Sequence, residues 1–141
     1  MLLKTIGAAA LCWTLVAGAA QAASVTYKAT LKGADEVPAN TTTGKGKVTA
    51  KVDTTTGLMT YTITYSGLTG PATMAHFHGP AGPGVNAPPV IVIKSLPSPI
   101  TGEATLTPAQ LADLAAGKWY FNVHTAAHMS GEIRGQLEAV K

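Results

Sequence analysis

The sequence predicts an all-β domain: an antiparallel, Greek-key-like β-sandwich of about eight strands with one short helix near 108–116. Three observations carry this. Apolar and polar residues alternate with period two through segments rich in Val, Ile, Thr and Tyr, the pattern of half-buried strands. Fifteen glycines and nine prolines interrupt those segments at short intervals. Most of the resulting connections are short, as antiparallel pairing allows and parallel crossover does not.

In chain order the expected strands are Val25–Leu31, Lys45–Val52, Met59–Tyr65, Thr73–His78, Val90–Lys94, Glu103–Leu106, Trp119–His124 and Glu132–Leu137. Thr54-Thr55-Thr56-Gly57 and Ser66-Gly67 read as turns, and Asn40–Gly44 as a loop. Two stretches break the rhythm. Thr107-Pro108-Ala109-Gln110 has the form of a helix start: Thr107 is the N-cap, Pro108 the first helical residue, and Gln110 is placed to close a capping box. That helix should end at Gly117 and lay Leu111 and Leu114 on the sandwich. The second break runs from Gly79 to Pro89, where glycine and proline are too dense for a strand. It is long for a hairpin, and long loops are often functional.

The first residues have the three parts of an export signal: Lys4, an apolar run from Ile6 to Ala20, and the small-residue triplet Ala20-Gln21-Ala22. Cleavage is expected after Ala22, so that residues 1–22 are a signal peptide and 23–141 the mature domain. The apolar run is shorter than the roughly 20 residues that span a bilayer, so no membrane association is expected after cleavage, and the protein is placed in the periplasm or secreted. The only cysteine, Cys12, leaves with the signal. The mature domain then has no disulfide and no thiolate, which excludes blue-copper, iron–sulfur and cysteine-type zinc sites. The net charge is +3 for the whole chain, and one less without Lys4. The lysines alternate with threonines along strands as solvent-facing residues do, so no nucleic-acid partner is expected.

Chemistry concentrates in the histidines, His76, His78, His124 and His128. Residues i and i+2 of a strand share a face, so Met74, His76 and His78 project together, away from Ala75 and Phe77. Two imidazoles on one face can grip one metal ion. In the Trp119–His124 strand, Tyr120, Asn122 and His124 share the face opposite Trp119, Phe121 and Val123. Whether the two groups meet depends on topology, which alternation does not specify. If they meet, His76, His78 and His124 form a three-imidazole metal site, with Met74 or His128 as a further ligand. Thioethers at Met74 and Met129 favour copper over zinc, because soft sulfur suits Cu(I). Glu132 and Arg134 share one face of the last strand and are candidates to orient an imidazole through its second N–H, or to pair with each other. In the other reading the histidines are structural.

Catalytic templates are missing. There is no Gly-x-Ser-x-Gly elbow, no phosphate-binding glycine loop, no His-Glu-x-x-His helix and no cysteine nucleophile. No catalytic residue is assigned, and an enzyme is the least favoured class.

Four segments, taken together, resemble the CHRD family, named after chordin and found also in exported bacterial proteins. They are Leu31-Lys32-Gly33-Ala34-Asp35-Glu36-Val37-Pro38, Ala75-His76-Phe77-His78-Gly79-Pro80-Ala81, Gly117-Lys118-Trp119-Tyr120-Phe121-Asn122-Val123-His124-Thr125 and Gly131-Glu132-Ile133-Arg134-Gly135-Gln136-Leu137. The resemblance implies a β-sandwich and an extracytoplasmic location. It also implies that the residues matching His76, His78 and His124 belong to the family pattern, while His128 departs from it. Two expectations follow: an exported domain binding copper, or less readily zinc, through its histidines, and alternatively an interaction module for a protein or cell-surface component.

Overall fold

The computed structural model describes residues 23–141. The expected export signal, residues 1–22, lies outside them. Nine strands form: β1 (Ser24–Lys32), β2 (Lys45–Asp53), β3 (Leu58–Ser66), β4 (Ala72–His78), β5 (Pro89–Val92), β6 (Ile100–Thr105), β7 (Tyr120–Thr125), β8 (Ile133–Gln136) and β9 (Glu138–Ala139). The helix α1 (Pro108–Ala115) lies between β6 and β7. No helix of the described residues is long and apolar enough to cross a membrane.

All pairings are antiparallel, and the strands join in the order β5-β4-β7-β8-β1-β2-β3-β6, with β9 added against β1. The sheet folds over one core, to which β1, β2 and β3 contribute Leu31, Val48 and Ile63, and β4, β7 and β8 contribute Phe77, Phe121 and Ile133. The two halves meet where Tyr61 of β3 packs edge to face on Phe77 of β4, ring centres 5.2 Å apart. The expected all-β antiparallel class is therefore present.

Local chemistry explains the connections. At the β2–β3 turn, the Asp53 carboxylate accepts hydrogen bonds from the Thr55 and Thr56 amides, and Gly57 takes a positive φ of 77°. The α1 start is the expected capping box: Thr107 accepts from the Gln110 amide, and the Gln110 side chain accepts from the Thr107 amide.

Several boundaries differ from expectation, most of them by one or two residues. Strand β6 begins at Ile100 rather than Glu103, because Ile100 and Gly102 pair with Ile63 and Tyr61. Gly102 leaves room for the Tyr61 ring on the inward side, so the residue that marks this register has no side chain. Strand β9 was not expected; it is only Glu138 and Ala139, both exposed.

What positions the site is the second face of the β4-β7-β8 layer. A sandwich leaves such a face in water, yet every residue of β7 is buried. The cover is the 79–88 loop together with the segment around Glu36. Arg134 of β8 clamps the loop, donating to Val85 O at 2.7 Å and to Asn86 Oδ1 at 2.9 Å, and Asn86 donates to Val37 O. The long glycine-proline segment is thus a lid fastened over the outer face.

Candidate metal centre

Strands β4 and β7 pair directly, so Met74 lies opposite His124, His76 opposite Asn122 and His78 opposite Tyr120. Alternation turns Ala75, Phe77, Phe121 and Val123 into the core and the intervening residues outward under the lid. This register answers what alternation could not: the His-x-His strand and His124 are on neighbouring strands, on one face. One ring nitrogen from each of His76, His78 and His124 lies within 4.8 Å of the others, and all three side chains are buried. His128 stands outside the group, half-buried in the turn after β7. Met74 is about half exposed, at 46%, and Met129 is 78% exposed.

Hydrogen bonds define which nitrogens are free. His124 Nδ1 is 2.9 Å from Met129 O, and a carbonyl only accepts, so Nδ1 carries the proton and Nε2 keeps its lone pair. That Nε2 lies 3.3 Å from Nδ1 of His76. His78 Nδ1 is 2.8 Å from Ala87 O and its Nε2 is 2.9 Å from Asn122 Oδ1. Both ring nitrogens face oxygen, which only an imidazolium satisfies. Burial disfavours that form and pushes the His78 pKa down. A neutral His78 keeps its proton toward the fixed Ala87 carbonyl, while Asn122 can turn its NH2 group to Nε2. On His124 Nε2 is thus free for an ion, whereas Nε2 of His78 ligates only by exchanging its Asn122 hydrogen bond for the metal.

Burial, with the neighbouring His124 and His78, pushes His76 down to about 4. His76 and His78 are therefore disposed to be neutral, the form that ligates metal. The dimensions suit an ion: with metal–nitrogen bonds of about 2.0–2.1 Å, the edge of a tetrahedron is about 3.3–3.4 Å. The His76–His124 separation already has that value, and the His78 nitrogen lies within 4.8 Å of both.

Glu132 and Arg134, expected as partners of an imidazole or of each other, take other partners. The Glu132 carboxylate accepts from the hydroxyls of Thr42, Thr69 and Thr125 and from the Thr69 amide, at 2.6–2.8 Å. Burial raises its pKa, but those bonds outweigh burial and hold it below the usual carboxylate range. It ties the 42–44 and 69 loops to the end of β7. Arg134 fastens the lid, and its guanidinium lies 3.4 Å over the Tyr120 ring. That ring stacks on His78 at 4.7 Å with an interplanar angle of 2°. Strands β8 and β4 flank β7, so Tyr120 sits between the cation and the imidazole, and Arg134 reaches His78 only through it. The groups that orient imidazoles are the Ala87 and Met129 carbonyls and the Asn122 amide.

Sequence reasoning also passed over Glu36, which is 4% exposed. Burial raises its pKa to about 7, against the lowering influence of Arg134, Asn122 and the Val37 backbone. The signal available was its place in the Asp35-Glu36-Val37-Pro38 segment.

An antiparallel β-domain with three buried histidines under a fastened lid defines the class: a small all-β domain with a site able to hold a metal ion. The model of the CHRD domain matches residues 27–137, and the chain belongs to that family. No curated protein and no solved structure matches it.

Proposed function

We propose that this protein is an exported metal-binding domain in which His76, His78 and His124 hold one transition-metal ion, copper in preference to zinc. The observation that carries this reading is the pair of backbone carbonyls, Ala87 O and Met129 O, that take the Nδ1 protons of His78 and His124. Metal-bound histidines characteristically donate their second N–H in this way. Structural histidines are served as well by one bond each and have no need to converge. The preference for copper draws on Met74, which is paired across the strands with His124 and places a thioether on the same face. Export draws on the signal-like first 22 residues and on the extracytoplasmic character that the family resemblance implies.

Titration of the purified protein with Cu(I), Cu(II) and Zn(II) tests the reading. One equivalent should bind to the wild type and none to His76→Ala/His78→Ala, with Met74→Ala weakening Cu(I) and leaving Zn(II) unchanged. Equal affinity in the double variant would refute it.

A second reading rests on the rim. Met74, Val92 and Met129 are all exposed beside the histidines, Val92 being paired with His76 on the edge strand β5. Exposed apolar residues at a sheet edge suit contact with another protein or a cell-surface component, and such a partner would be recovered equally well with the double variant.

A further inference from the structure

The outward side of β1, β2 and β3 takes no part in the histidine centre, and it gathers lysines. Alternation buries Leu31, Val48 and Ile63 and leaves Lys32, Lys45, Lys47 and Lys51 exposed. Register sets Lys32 of β1 directly opposite Lys45 of β2, with Arg134 of β8 on its other side. Lys47 stands one step further along β2, between Thr30 and Thr64. Like charges directly opposed on neighbouring strands weaken the pairing, and an anion laid across them turns that repulsion into attraction.

Counter-charge within the fold is sparse. Among the described residues the single ion pair is Lys32 with Asp35, at 3.6 Å. The other acids of this side are Glu138, opposite Lys28, and Glu103, two strands from Lys51. Neither is in register with Lys45 or Lys47. Between those two lysines lies a concavity of about 410 Å³, lined also by Thr30, Thr64 and Ser66. It combines two ammonium groups with three hydroxyls, which donate and accept.

We propose that this face binds an acidic polysaccharide, with Lys45 and Lys47 seating its carboxylate or sulfate groups and Lys32 and Lys51 continuing the track. The lysines at i and i+2 of a strand stand about 7 Å apart, so cations recur along β2 as anions recur along such a polymer, and the hydroxyls suit its sugar rings. Other polyanions find less here. Single-stranded nucleic acid stacks its bases on aromatic rings, and a membrane surface takes up inserted apolar side chains. The one aromatic lining the concavity, Tyr65, packs on the core and donates its hydroxyl to Leu96 O.

The experiment is surface plasmon resonance over immobilised polygalacturonate, dextran sulfate and neutral dextran, with a chelator present so that no metal bridges the two. Wild type is compared with Lys45→Gln/Lys47→Gln and with Lys94→Gln/Lys118→Gln, which removes the same charge from outside β1, β2 and β3. All four lysines are exposed, and their replacement leaves the core intact. Wild type should bind an acidic polymer and not neutral dextran. Lys45→Gln/Lys47→Gln should bind on the order of tenfold more weakly, with a log–log salt slope shallower by about one per lysine. Lys94→Gln/Lys118→Gln and His76→Ala/His78→Ala should bind as wild type does. No binding to either acidic polymer, or equal weakening by the two lysine pairs, overturns the proposal. Tighter binding to duplex DNA or to phosphatidylglycerol vesicles than to both polymers also overturns it, and assigns the face to nucleic acid or membrane instead.

Discussion

His76 Nδ1 and His124 Nε2, 48 residues apart in the chain, lie 3.3 Å from each other on adjacent strands. That contact depends on register. A slip of one residue between β4 and β7 would turn either His124 or both His76 and His78 toward the core, because side chains alternate between faces. The Phe77–Phe121 pair, packed at 4.8 Å on the core side, opposes such a slip.

The low pKa of His76 makes the metal-free fold acid-sensitive. Its folded value of about 4 lies below the ordinary histidine value of 6.5, so the unfolded chain binds more protons between those values. Stability from this group is complete above 6.5 and lost as pH falls toward 4, about 3 kcal/mol at most. Thermal unfolding of His76→Gln at pH 4.5 and 7.5 should show a smaller difference between the two than wild type does. An equal difference would mean that His76 is charged in the fold.

Glu36 acts with the opposite sign. Its folded pKa of about 7 lies above the ordinary glutamate value of 4.5, so the folded state binds the extra proton between them. Its effect on stability is absent below 4.5 and grows unfavourable as pH rises through 7, again about 3 kcal/mol at most. Glu36→Gln should therefore raise the melting temperature of the metal-free protein more at pH 8 than at pH 5, as a thermal scan at each pH will read.

Glu132 holds three chain segments with one carboxylate. Glu132→Ala removes the acceptor of four donors and should cost on the order of 3 kcal/mol or more. Chemical denaturation measures it. Glu132→Gln, which keeps one acceptor oxygen, should lie between the variant and wild type.

The sequence made the fold legible wherever side chains speak for the backbone. Alternation in β1 to β4 marks their faces, and Thr107 with Gln110 marks the start of α1. It was silent where the determinant is a missing side chain, as at Gly102, or where a strand is two residues long, as β9 is. The three histidines could be picked out by residue type and spacing. Their convergence could not, because pairing of β4 with β7 is set by the whole sheet. Nor could the partners of the histidines be read: the carbonyls of Ala87 and Met129 are backbone groups that any residue would supply. Glu36 is buried only because the segment after β1 folds across the outer face, where Gly131 leaves room for its carboxylate.

X-ray absorption fine structure at the metal edge, recorded on protein loaded with one equivalent of Cu(I) or Zn(II), tests the central claim most directly. The account predicts imidazole scattering from three nitrogens at about 2.0 Å, reduced by one in His124→Ala. A shell made of oxygen alone, or one unchanged in His124→Ala, would contradict it.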